Sequence, residues 1–138
     1  MAVPILKQGP FLIASIQAAL SDSDMLELRD DLMERVARYR SRGIIVDLTP
    51  IDVMDSFASR SLRSIAHMAR LRGADTVIVG IQPEVAFAMV QLGLNLEDVH
   101  TALDLEEGLH LLGRLLPGET AGTPKPGRRR EEPTDRGR

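Results

Sequence analysis

Apolar residues along this chain follow two rhythms: short unbroken runs, and longer stretches in which they recur at helical spacing. Val3–Lys7 and Phe11–Ser15 are short runs on either side of Gln8-Gly9-Pro10, which predicts two strands around a turn, paired antiparallel. Ser21 to Asp24 is a cluster of helix-capping residues, and Asp24 with Glu27 has capping-box spacing. Behind it Met25, Leu28, Leu32, Val36 and Tyr39 mark the inner face of a first helix, opposite Arg29, Asp30, Glu34 and Arg38. Gly43 is expected to close that helix as a left-handed cap.

Ile44–Leu48 then reads as a buried strand, and Thr49 to Asp55 as a loop. A second helix is expected over Ser56–Arg72, with Phe57, Leu62, Ile65 and Ala69 inward and Gly73 at its end. Thr76–Gly80 is another buried strand. Pro83 suits the first turn of a third helix, where its missing N–H costs nothing. That helix turns Val85, Ala86, Met89 and Leu92 inward and stops at Gly93. A short strand near His100–Leu103 precedes a last helix, opened by Asp104 and Glu107 and lined by Leu105, Leu109, Leu112 and Leu116. Helices between the later strands require parallel pairing through right-handed crossovers. The expected fold class is α/β: one mixed sheet of four or five strands over residues 1–116. The similar phrases RSRG-IIVDL and RLRG-ADTVIVG read as two uses of one helix-to-strand junction.

The segment 117–138 departs from this pattern. It holds four Pro, four Gly and a single hydrophobic-class residue, Ala121, and its six basic and four acidic residues give it a net charge of +2. So little apolar surface cannot offset chain entropy, and a disordered Pro/Gly/Arg-rich tail is expected. The whole chain of 138 residues carries −3.

Composition removes several classes of function. With no Cys there is neither a disulfide nor a thiolate nucleophile. No Trp, one Tyr and three Phe give no base-stacking surface, and the net acidity adds to the case against nucleic-acid binding. No apolar run is long enough to span a bilayer, and the first residues do not read as a secretion signal, so a cytoplasmic location is expected. Dinucleotide, Walker A and G-x-S-x-G motifs are missing from the sequence. His67, His100 and His110 form no ligand cluster and read as surface or boundary residues. Neither metal nor cofactor is expected.

In an open α/β sheet the working loops lie beyond the carboxyl ends of the parallel strands, which are Thr49–Ser56 and Gly80–Pro83 here. Asp52 and Asp55 stand three apart there, a spacing open to acid–base work or magnesium binding but more often used for turn and cap hydrogen bonds. Ser56 is placed as the N-cap of the second helix, a role worth about 0.5–2 kcal/mol over Ala. The same place suits a phosphoryl group, because unpaired N–H groups at a helix start stabilise anions.

Taken together, VPILK, SIQAAL, VDLTPIDVMDSF, GIQPEVA and TALDLEEGL, in this order across about residues 3–115, resemble the STAS domain of anti-sigma-factor antagonists, and within it the RsbS-type stressosome antagonists. The resemblance implies a sheet with helices mainly on one face and a regulatory protein that is not an enzyme. It implies assembly with RsbR-like STAS paralogues, as a homo-oligomer or a large hetero-assembly, and sequestration of an RsbT-like serine kinase of the GHKL type. Phosphorylation of Ser56 would release that kinase into a stress-response pathway, and a cognate phosphatase would reset the protein. Asp55 and Phe57 match the motif around that serine, and Gly80, Gln82 and Pro83 match an adjacent loop. With Asp52 these are the expected partner-binding residues. Ser59, Ser61 and Ser64 rank below Ser56 as phosphate sites because helix-interior positions lack free N–H groups. The tail is longer than the family leads one to expect.

Two other readings stay open. A receiver-like domain would be phosphorylated on Asp47, but the first strand lacks an acidic pair behind it and no Lys lies between Lys7 and Lys125. A small-ligand or nucleotide-binding STAS module would use Asp52 and Asp55, without a nearby His, Cys or Lys to complete a catalytic set.

Overall fold

The computed structural model describes residues 3–92, 96 and 99–116. The expected tail at 117–138 and the expected helix stop at Gly93 lie outside the described residues. Five strands form one sheet in the order β1-β2-β3-β4-β5. They are β1 (Ile5–Gln8), β2 (Phe11–Ser15), β3 (Gly43–Asp47), β4 (Asp75–Val79) and β5 (His100–Ala102). The first pair is antiparallel and every later pair is parallel. The helices are α1 (Asp22–Tyr39), α2 (Ser56–Leu71), α3 (Pro83–Gln91) and α4 (Leu105–Leu115).

Strands β2, β3 and β4 are buried at four of five positions each because both faces of the sheet are covered. Leu12, Ala14, Ile44, Val46 and Ile78 point into the larger core, where α1 adds Met25, Leu28, Leu32 and Val36 and α2 adds Leu62, Ile65, Ala66 and Ala69. Burying each of the larger aliphatic side chains contributes about 1.5–3 kcal/mol before chain entropy is counted. Phe11, Ile13, Ile45, Val77 and Val79 alternate onto the opposite face, where Leu112 of α4 covers them. Gly108 lets α4 approach closely, since a Cβ there would lie 2.8 Å from a Val79 methyl carbon. The two edge strands are short and largely exposed.

Three expected caps are corrected. The N-cap of α1 is Ser21, with Asp24 as its capping-box partner at the third helical position, so Asp24 and Glu27 do not form the box. The left-handed residue ending α1 is Arg40 (φ 51°), and Gly43 is instead the first residue of β3. Gly43 is needed for space, because a Cβ there would meet Leu112 and Phe11 carbons at 2.8–2.9 Å. Finally, the N-cap of α2 is Asp55, and Ser56 is the first helical residue. Gly73 does follow α2 with φ 87°. Its N–H donates to Arg70 O and the N–H of Ala74 to Ala69 O, the paired bonds of a Schellman ending.

Candidate functional site

The parallel strands direct two loops to one end of the sheet. The first joins β3 to α2. Asp47 ends β3, and its Oδ1 accepts from the Thr49 N–H (2.9 Å) and the Thr49 hydroxyl (2.6 Å). This turns the chain immediately after the strand. Asp47 is thereby committed to building the loop, which is a different task from the exposed acceptor a receiver requires.

The second loop, between β4 and α3, is held to the first through Thr49. The Gln82 side-chain amide donates to Thr49 O at 2.7 Å. Gly80 has φ 77°, and a Cβ on it would lie 2.2 Å from Thr49 Oγ1. Only glycine meets both the left-handed backbone and the close approach. Gln82 is the N-cap of α3 but makes no side-chain cap bond. Pro83 occupies the first turn of α3 and is exposed.

At the start of α2 the Asp55 side chain accepts from the Ala58 N–H at 2.8 Å. The Asp55 carbonyl takes the first helical bond from the Ser59 N–H at 3.1 Å. The N–H groups of Ser56 and Phe57 therefore have no intrahelical acceptor. Ser56 is partly exposed, while Asp52 and Asp55 are exposed. Phe57 packs partly buried against the larger core. Ser59 is buried and its hydroxyl donates to Asp55 O.

The structure thus brings Gly80 and Gln82 onto the Thr49 turn and gathers Asp55, Ser56 and Phe57 at the first turn of α2. Asp52 lies on the loop between them, and no hydrogen bond joins it to Asp55. Among the described residues no group of His, Asp and Glu is arranged to hold a metal ion. No described helix is long and apolar enough to cross a membrane.

Sequence reasoning did not identify Thr49 as the joint between the loops, because Gln82 reaches it from 33 residues away. It also passed over an apolar pocket of about 100 Å³ beside Asp55, lined by Ile16, Leu20, Met25, Val53, Met54 and Ala58 among others. The only sequence signal for that pocket was apolar Val53 and Met54 within a loop.

The chain is similar to known proteins in sequence and in fold. The STAS domain model matches residues 2–108. A serine-to-glutamate form of RsbS from Moorella thermoacetica superposes with a TM-score of 0.73 and 33% identity, covering 82% of this chain and 96% of that one. A chain from the molecular architecture of the stressosome, described as a signal integration and transduction hub, matches with a TM-score of 0.69 and 32% identity, over 81% of this chain and 97% of that one. The RsbT co-antagonist protein RsbRA of Bacillus subtilis is 30% identical over 82 residues, which are 59% of this chain and 30% of that relative. The chain therefore spans less than a third of the length of that curated relative.

Proposed function

Because this chain belongs to the STAS domain family, we propose that it is a non-enzymatic, stressosome-type antagonist that holds an RsbT-like serine kinase and releases it once Ser56 is phosphorylated. The observation that carries this reading is the position of Ser56: partly exposed, at the first turn of α2, at the same end of the sheet as the Gly80–Pro83 loop. Asp52, Asp55, Phe57, Gly80, Gln82 and Pro83 form the docking surface. The small apolar pocket beside Asp55 has room for about one partner side chain, the usual form of an anchor at an interface.

In the reaction the Ser56 hydroxyl oxygen attacks the γ-phosphorus of ATP held by the kinase, loses its proton and expels ADP. The product brings about −1.5 to −2 charge into the docking surface. Its oxygens can accept from the free N–H groups of Ser56 and Phe57, while its charge opposes Asp55 one residue away. A partner packed over this turn would have to bury a new dianion next to a carboxylate, and that desolvation costs several kcal/mol. Loss of affinity follows without any catalytic group in this chain. RsbR-like paralogues join the same assembly, and a cognate phosphatase restores the hydroxyl.

Co-elution with an RsbT-like kinase tests the reading. Ser56→Ala should hold the kinase in the presence of ATP, and Ser56→Asp should weaken the complex by about tenfold or more. Equal binding by Ser56→Asp, together with ATP-driven release from Ser56→Ala, would refute it.

A further inference from the structure

The opposite end of the sheet carries a second concentration of charge that this function does not use. The similar junctions RSRG and RLRG precede neighbouring parallel strands, with Gly43 of β3 in register with Asp75 of β4. The two helix ends are therefore placed side by side. Between them lies an open pocket of about 380 Å³, whose lining includes Val36, Arg40, Ser41, Arg42, Arg72 and Gly73. The three arginines are exposed, and among the described residues none has a carboxylate partner. Arg38 is different, being paired with Glu34. Asp75, the acidic residue next along the chain, has its Oδ1 3.9 Å from His100 Nε2.

Arginines at helix C-termini also serve to complement the helix dipole. Two such ends contribute only about −0.5 charge each. Against three guanidinium groups this leaves roughly +2, in a chain whose total charge is −3. A second observation points the same way. Ser41 is 3% exposed, lines this pocket, and has a buried hydroxyl without a hydrogen-bond partner. A buried hydroxyl left without a partner is costly, so its retention beside three arginines calls for an acceptor.

We propose that Arg40, Arg42, Arg72 and Ser41 form a binding site for a small phosphate-bearing anion. Guanidinium forks match phosphate oxygens in pairs, and the residual charge matches a dianion. The volume falls within the range of small-molecule sites, about 300–1,000 Å³, and so accommodates a phosphate ester as well as a bare phosphate.

Calorimetric titration of the full chain with inorganic pyrophosphate and with inorganic phosphate tests the site, using sodium chloride of matched ionic strength as the control. Pyrophosphate should bind in the micromolar to low-millimolar range. The double variant Arg42→Gln/Arg72→Gln should bind it about tenfold or more weakly. Both substituted positions are exposed, so the unliganded thermal midpoint should stay unchanged and separate loss of binding from misfolding. Ser56→Ala should bind pyrophosphate like the parent, which keeps this site distinct from the phosphorylation reading. Absence of pyrophosphate binding, binding reproduced by matched salt, or equal binding by the double variant would overturn the proposal.

Discussion

The residue before Ser56 decides how α2 begins. Asp55 and Ser56 are both strong helix caps, and local preference does not separate them. The structure gives the cap to Asp55, which frees the Ser56 hydroxyl for other chemistry. Asp55→Ala should therefore lower stability by about 0.5–2 kcal/mol in urea unfolding, and Asp55→Asn should recover most of it. Ser56→Ala should change stability far less, because Ser56 contributes no cap bond. Gly80→Ala should be more damaging than an ordinary loop substitution: φ is 77° and Thr49 occupies the space a methyl group needs. A loss of about 1–3 kcal/mol is expected, measurable in the same unfolding experiment. Gly80 and Gln82 were legible as members of a loop, yet the contact that gives them their roles, through Thr49, is non-local and left no pattern in the neighbouring sequence.

At the scale of elements, the strands were readable because burial on both faces leaves unbroken apolar runs, and α1 and α2 because their inner residues recur at helical spacing. Their ends were less legible. Gly43 and Gly73 stand in similar phrases but do different things: Gly73 adopts a left-handed backbone after α2, while Gly43 leaves room beneath α4 for Leu112. A packing requirement from an element almost 70 residues away cannot be seen at Gly43 itself. The turn after α1 falls to Arg40 at φ 51°, a conformation that costs a residue with a side chain about 1–2 kcal/mol. Arg40→Gly should accordingly raise the thermal midpoint, by an amount equivalent to about 1 kcal/mol. If the arginine pocket binds phosphate, the same substitution should weaken pyrophosphate binding, so stability and binding would move in opposite directions.

For the molecule as a whole, the succession of strands and helices with right-handed crossovers was enough to anticipate a mixed sheet, whereas helices mainly on one face came only from the resemblance to STAS domains. The placement of α4 on the other face follows from the alternation of β3 and β4, whose second apolar face also needs cover. The two ends of this sheet are chemically different. One gathers Asp52, Asp55 and Ser56, and the other gathers Arg40, Arg42 and Arg72. Residues 117–138 hold a single hydrophobic-class residue, Ala121. Their deletion is expected to leave unfolding free energy unchanged to within about 0.5 kcal/mol, as read by urea denaturation.

The most direct test of the central claim is mass-spectrometric site mapping after incubation with an RsbT-like kinase and ATP, with the bound kinase quantified in parallel. The account predicts one phosphate per chain, on Ser56, appearing as the kinase is lost from the complex. Phosphate on another residue, or full modification of Ser56 with the kinase still bound, would contradict it.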